Sequence, residues 1–494
     1  MREILRWLAI CRIGCLIDRR GWEWSLVLCD ESTLSSRALC VDPLNPCSPI
    51  GALYAAFGVH GGLPLSHGAS GCCRFQRMEL AKHFQKTVHV PSTLLRDRAA
   101  MFGGEPEVVE AVENVFRLYD PEVLVINTTC LSETIGDDMC GIVERLQVPL
   151  GKAVVWASTP GYAGSQLAGY GATVAALIRQ LGRMQNEDAA STDVASFNVC
   201  ESEKSRLCLL PGWLNPSDVD AVMQYVNVLF NEVTVLPDVR GVFDSKTPDN
   251  PSQYAPGGTP LKAIEHIAQC SCGLALGREA TKDSACALGE MIAKSSIREL
   301  PLPIGITATD HMIGALSEMA DQPVPDWIAQ ERTRLIDGVM QVVDYLYGKR
   351  LLICCDADLA TAITSFAVDV GLVPSCVAVG DALSDFEAHL RSTVEIPGEC
   401  VVLTGKDRLA VEEYVISHPV DLVLGDTRNK RLANRMGVPL IRIGFPVVDR
   451  PLSHTQSLVG YSGALSLLRR IVEALCDASE HEMAPEELSI SRYF

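Results

Sequence analysis

Residues 107–138 read EVVEAVENVFRLYDPEVLVINTTCLSETIGDD. Glu107 to Leu118 carries apolar residues at helical spacing, and Asp120-Pro121 interrupts the pattern. Val123 to Asn127 follows as an apolar run of strand length. The helical pattern resumes from Leu131 to Leu146, and Ala153 to Ala157 is the next strand, closed by Ser158-Thr159-Pro160. Gly164 to Leu181 is helical again. Such alternation predicts parallel sheets covered by helices.

The same rhythm recurs downstream. Arg206 to Leu210 reads as a strand, with Ser217 as N-cap of a helix from Asp218 to Phe230. A long helix is expected from Pro325 to Tyr347. Strands are expected at Leu351 to Cys355, Phe366 to Val370, Val401 to Thr404, Leu422 to Gly425 and Leu440 to Ile443. The polar stretch Met184 to Phe197 reads as a linker, and Asp244 to Pro260 as a loop. Cys47 to about Gly71 is too dense in Gly, His and Cys for plain helix. The expectation is an α/β chain of three Rossmann- or flavodoxin-like domains with parallel sheets. Their spans are 46–198, 199–347 and 348–494, the last with a C-terminal tail, after an irregular N-terminal arm over 1–45. Ligands in such sheets sit at the carboxyl ends of strands. No Walker A motif is present, and no dinucleotide fingerprint falls between a strand and a helix.

Composition narrows the function classes. The 494 residues carry 42 Lys and Arg against 61 Asp and Glu, a net charge of −19, which argues against nucleic acid as the main partner. Hydrophobic residues at 48 % and charged residues at 21 % are globular values. The apolar stretches are short and broken, so no segment is expected to span a membrane. Met1 to Ile17 is apolar but interrupted by Arg2, Arg6 and Arg12, without a small-residue cleavage site. No signal peptide is expected, and the location is read as cytoplasmic.

Nineteen cysteines are many for such a chain, and an odd number cannot pair off internally. Zinc-ribbon spacing is absent, so most read as small buried hydrophobes. Cys354 and Cys355 fall in a buried strand, Cys11 and Cys15 on one helix face, and Cys270 and Cys272 among core or loop thiols. Cys47, Cys72 and Cys130 differ, because each sits where a loop meets an element end. Cys130 lies between the strand and the following helix, where the helix dipole favours a thiolate or a cluster sulfide. Gly51, Ala52, Gly68 and Gly71 would let backbone approach something bulky near the other two. On these residues alone, cluster ligation competes with ordinary loop thiols.

Together these motifs resemble a known family. Cys47-Ser-Pro-Ile-Gly-Ala52, His67-Gly-Ala-Ser-Gly-Cys72, Phe102-Gly-Gly104 and Thr128-Thr-Cys130-Leu-Ser-Glu-Thr-Ile-Gly-Asp-Asp138 resemble the beta subunit of nitrogenase component 1. Cys72 follows Cys47 by 25 residues and Cys130 follows by another 58, like the three P-cluster ligands of that family. Leu302 to Asp310, Gln322 to Pro325, Glu331 to Leu335, Gly348 to Arg350, Val438 to Arg450 and Gly460 to Ala464 continue the likeness in order.

The resemblance implies an α2β2 heterotetramer, each subunit with three α/β domains. It implies an [8Fe-7S] P-cluster at each alpha–beta junction, with Cys47, Cys72 and Cys130 as this chain's iron ligands. Cys73 would remain a neighbour. The catalytic iron–sulfur cofactor would belong to the alpha-type partner, so this chain would supply no catalytic residue. It would pass electrons from an ATP-dependent iron protein, docking at Phe102 and Ile135. Without the resemblance, Phe102 reads as a core aromatic.

Departures from the family pattern keep several readings open. Thr159-Pro160-Gly161 stands where members commonly carry a Ser able to ligate the oxidised cluster, leaving backbone nitrogen or a neighbour such as Ser158 as the substitute. His67-Gly-Ala-Ser-Gly-Cys72 departs from the usual loop, and Pro451 to His454 replaces a His pair. A vanadium- or iron-only-type nitrogenase, or a nitrogenase-like enzyme such as methylthio-alkane reductase, fits these changes. The rival from another class is a cofactor-assembly scaffold of the same fold, which retention of all three cysteines disfavours. A dark-operative chlorophyllide-type reductase is disfavoured by the long C-terminal match. Among the histidines, His67 reads as structural, His83 and His89 as surface or interface residues, and His454 as a loop residue. Glu133, Asp137 and Asp138 read as complements to a helix dipole.

Overall fold

The inner strands of the sheets, such as Cys272–Leu276 and Leu422–Gly425, are buried along their whole length, which is why their sequences run without polar alternation. A computed structural model describes residues 42–183, 206–244 and 255–482. The Cys11 and Cys15 face, nearly all of the N-terminal arm and the linker at 184–197 lie outside the described residues.

The first sheet joins β1 (Gly62–His67), β2 (Val123–Thr128) and β3 (Ala153–Ala157) in that order. The second holds β4 (Arg206–Leu210), β5 (Glu232–Val235), β6 (Cys272–Leu276) and β7 (Ile297–Leu300) in the order β5-β4-β6-β7. The third holds β8 (Arg350–Cys354), β9 (Val373–Val379), β10 (Val401–Thr404), β11 (Leu422–Gly425) and β12 (Leu440–Arg442). Its order is β10-β9-β8-β11-β12, and every pairing in all three sheets is parallel. Each of the spans 46–198, 199–347 and 348–494 contributes one sheet. Parallel neighbours need crossovers, and helices such as Glu105–Tyr119 between β1 and β2 supply them.

Four local expectations are corrected. The glycine-dense stretch after Cys47 contains a regular helix, Ser48–Phe57, then β1 and the helix Ser70–Phe84. Gly51 within it serves contact between helices, with Gly169 on the facing helix. A Cβ on Gly51 would lie 1.8 Å from the Gln166 carbonyl oxygen, and one on Gly169 would lie 1.9 Å from that of Ser48. The two helix backbones touch, and only glycine fits.

The helix expected from Leu131 to Leu146 breaks at Gly136, whose φ of +83° ends Cys130–Ile135 before Met139–Arg145 begins. Phe366 to Val370 is not a strand but the end of the helix Ala357–Asp369, and β9 starts three residues later. That helix is buried on almost every side, so its apolar run has no helical period to betray it. Ser217 is not a cap. Asn215 and Asp218 form a reciprocal capping box around Pro216, and the Ser217 hydroxyl donates to the His454 carbonyl instead.

His83 is also corrected, being 2 % exposed rather than at the surface. The Val447 N–H donates to its Nδ1 at 3.0 Å, so Nε2 carries the proton and donates to Asn215 Oδ1, also at 3.0 Å. One imidazole thus ties the helix Ser70–Phe84 to the chain after β4 and the chain after β12. His454 is buried beside it, ring centroids 6.1 Å apart, while His89 is exposed.

Candidate functional site

The carboxyl ends of β1, β2 and β3 converge, and the chain leaving each delivers one part of a site. After β1, Cys72 lies in the first turn of Ser70–Phe84. After β2, Cys130 opens the helix Cys130–Ile135, held by a capping box between Thr129 and Ser132. Both hydroxyls also donate to the His67 carbonyl, at 3.0 and 2.9 Å, which pins this helix start to the end of β1. After β3 comes Gly161. Cys47 is the N-cap residue of Ser48–Phe57 and pairs through its backbone with Ser165.

Gly161 lies between two of the thiols. A Cβ there would fall 3.2 Å from the Cys47 Cβ and 3.3 Å from the Cys130 Sγ. Its amide donates to the Cys130 Sγ at 3.2 Å. Cys47 is half-buried, whereas Cys72 and Cys130 are exposed, so the thiols open towards solvent. Burial, then the proximity of Cys130 and Cys72, pushes the Cys47 thiol up to about 11. Cys72 is raised by burial and by Cys130. Three thiolates this close repel one another unless a cationic centre replaces their protons. Among the described residues no three His, Cys, Asp or Glu side chains are set to hold a single metal ion. Soft thiolate donors are the ligands that metal–sulfur clusters take, so the residues present fit such a group. Cys73 is turned away, its thiol donating to the Val90 carbonyl at 3.3 Å.

The surroundings are more committed than the sequence suggested. His67 is fully buried and keeps both ring nitrogens occupied, Nδ1 with Thr93 Oγ1 and Nε2 with Asp137 Oδ2, each at 3.0 Å. Burial lowers its pKa, and the role is structural. Asp137 is no simple dipole complement, because it also accepts the Gly104 N–H at 2.7 Å. Asp138 does cap a helix, accepting from the Gly141 N–H. Ser158 and Thr128 both donate to Glu133 Oε1 at 2.6 Å, so the Ser158 hydroxyl is already engaged. Sequence reasoning pointed to backbone nitrogen near Gly161, whose amide meets the Cys130 sulfur, but missed the Glu133 acceptor. Glu133-x-x-x-Asp137 was the only local signal for that acceptor.

The Asp137–Gly104 bond also joins the chain after Phe102 to the turn after Ile135. Phe102 is 76 % exposed with Met101 beside it at 75 %, so it is not a core aromatic. Ile135 is half-buried. The helices Asp97–Phe102 and Cys130–Ile135 touch, placing both residues on the side of the molecule that carries Cys130.

A second set of carboxyl ends, those of β4, β7, β8 and β12, meets elsewhere, and there the space is filled. Tyr54, Phe84, Trp213 and Phe445 surround a cavity of about 30 Å³, enough for about one water. Tyr54 stacks on Phe84 at 5.6 Å and lies 4.6 Å from Trp213, which meets Phe445 edge-on at 5.5 Å. This junction has no room for a bulky cofactor.

Comparisons with known proteins identify the family and the fold. A family model described as nitrogenase component 1 type oxidoreductase matches residues 47–476. The chain is 31 % identical to the nitrogenase molybdenum-iron protein beta chain of Clostridium pasteurianum, over 94 % of this chain and 99 % of that one. It is 31 % identical to the corresponding chain of Frankia alni, over 96 % and 88 %. Among solved structures, nitrogenase Cp1 at pH 6.5 superposes with a TM-score of 0.85 at 30 % identity, covering 92 % of this chain and 97 % of the other.

Proposed function

The chain belongs to the nitrogenase component 1 type oxidoreductases, and on that premise we propose that it is the beta-type, electron-relaying subunit of a nitrogenase-type reductase. Cys47, Cys72 and Cys130 would hold its share of an [8Fe-7S] P-cluster, with three further thiolates from an alpha-type partner in an α2β2 heterotetramer. Bound there, the cluster supplies an electron store between the ATP-dependent iron protein and the partner's catalytic cofactor. The observation that carries the reading is that Cys47 and Cys130 flank Gly161, with Cys72 near enough for its charge to act on the Cys47 thiol.

The protein's own residues have defined tasks. The capping box at Thr129 and Ser132 holds the Cys130 sulfur at the start of its helix, where the dipole favours negative charge. The Gly161 amide donates to that sulfur, drawing off electron density and favouring the reduced state. A serine side chain at Gly161 would press its Cβ against the Cys47 Cβ and the Cys130 Sγ, at 3.2 and 3.3 Å, and carry its hydroxyl in beside them. The Glu133 acceptor holds Ser158 in place, so a backbone nitrogen is the nearer substitute for the missing serine. Phe102 and Ile135 form part of the docking surface for the iron protein.

Retention of Cys47, Cys72 and Cys130 together favours this reading over an assembly scaffold. Reduction of dinitrogen follows from the relatives' names, and C–S bond cleavage is the alternative that Gly161 keeps in view. The test is anaerobic purification of the complex, with iron counting and EPR across a redox titration. An eight-iron cluster at the junction, with ATP- and donor-dependent turnover, is expected. A four-iron cluster or absence of turnover would overturn the assignment. Parallel assays of ammonia formation and methylthio-alkane cleavage decide the substrate.

A further inference from the structure

The chain leaving β9 reaches back to the three-cysteine site from another sheet. Asp381 lies two residues beyond β9, at the carboxyl end of the third sheet. Its backbone is fixed there, because the Gly405 N–H donates to the Asp381 carbonyl at 2.9 Å. The side chain gathers three donors. Oδ1 accepts the Ser165 N–H at 3.1 Å, while Oδ2 accepts the Ser165 hydroxyl at 2.7 Å and the Asn45 side-chain amide at 3.0 Å. Accepting on both oxygens is the pattern of a carboxylate, whose hydrogen bonds are stronger than those between neutral groups. Gly380 admits Asn45 this closely, since a Cβ there would fall 2.9 Å from the Asn45 Cγ.

The two partners of Asp381 flank the site. Asn45 stands two residues before Cys47, whose backbone pairs with Ser165. The Gln166 N–H donates to the Pro46 carbonyl at 3.2 Å. Ser165 stands four residues after Gly161, beyond a turn that the Ala163 N–H closes on the Pro160 carbonyl at 3.0 Å. One carboxylate from the third sheet therefore ties the chain that carries Cys47 to the chain that carries Gly161. Sequence gives no hint of this, because 216 residues separate Ser165 from Asp381.

We propose that Asp381 is a positioning residue for the three-cysteine site, holding the Cys47 and Gly161 chains together so that the Gly161 amide stays on the Cys130 sulfur and the reduced cluster is favoured. This role rests on the cluster reading given above. Asp381 acts through Ser165 and Asn45 rather than on a thiol. Without the carboxylate, both lose their shared acceptor, the two chains part, and the N–H···S bond lengthens. Less electron density is then drawn from the sulfur, and the oxidised cluster gains.

The test uses the intact complex, purified anaerobically, with EPR-monitored redox titration and hydrogen exchange on the same preparations. Asp381→Ala should keep its iron and raise the ratio of oxidised to reduced cluster at a fixed potential about tenfold, which for a two-electron couple is a midpoint about 30 mV lower. Asp381→Asn keeps an oxygen for the Ser165 amide and should shift less. Gly380→Ala pushes Asn45 away with the carboxylate intact and should shift the same way, which decides the matter if Asp381→Ala does not assemble. Asp385→Ala breaks the ion pair with Arg278 farther along the same chain and should titrate like the unaltered protein. Peptides covering 43–50 and 161–170 should exchange about tenfold faster in Asp381→Ala, with 350–356 unchanged. An unaltered complex without an eight-iron cluster overturns the proposed function and this role with it. With the cluster present, an unchanged titration, or unchanged exchange over 43–50, in both Asp381→Ala and Gly380→Ala overturns the role of Asp381 alone.

Discussion

Acidification should loosen the junction that His83 holds together. Its Nδ1 accepts the Val447 N–H and its Nε2–H donates to Asn215, so the bonded form is one neutral tautomer. Burial pushes its pKa down from 6.5 to about 4, with the nearby His454 adding in the same direction. Between those values an opened chain binds a proton that the closed one does not. Stability is therefore complete near neutrality and falls as pH drops. From the two pKa values, about 2 kcal/mol is lost between about pH 7 and about pH 5, roughly a 30-fold rise in opening. Hydrogen exchange of peptides covering 215–226 and 440–450, corrected for the intrinsic pH dependence of exchange, reads this directly. His83→Gln keeps an acceptor and a donor but does not titrate, so its slope should flatten to the part due to His454, whose pKa is also lowered by burial. Equal corrected opening at both pH values, or an unchanged slope in His83→Gln, would refute the reasoning.

Replacing Cys47, Cys72 or Cys130 by Ala should strip iron from the complex and weaken its assembly, by metal analysis and size-exclusion chromatography, whereas Cys354→Ala or Cys400→Ala should leave iron near normal. Phe102→Ala should leave cluster content intact and slow reduction by the iron protein, with a loss of about 1–3 kcal/mol measured as donor-dependent turnover. Gly161→Ser places a hydroxyl between Cys47 and Cys130 and should stabilise the two-electron-oxidised state; identical redox titrations would mean that oxygen does not ligate there. Gly51→Ala forces a methyl against the Gln166 carbonyl and should cost about 3 kcal/mol or more, seen as lost soluble yield or a lower melting temperature.

Local periodicity was enough for much of the fold. Ala153 to Ala157, Arg206 to Leu210, Val401 to Thr404 and Leu422 to Gly425 are strands with the bounds their apolar runs suggest. Strands buried on both faces must be apolar throughout, and polar or Gly and Pro residues mark where burial stops. The three candidate thiols were visible for a related reason, since element ends announce themselves in sequence. Where the apolar run belonged to a buried helix, as at Phe366, the pattern carried no period and misled. Residues that answer to a distant partner were illegible. Gly51 is a helix residue because another helix backbone lies against it, His83 is buried because Asn215 and Val447 close over it, and Gly161 meets a thiol 31 residues earlier in the chain. A sequence states which face of an element is apolar, because that depends on neighbours three or four residues away. It does not state what lies across that face, because crossovers and the packing of whole sheets bring distant residues together.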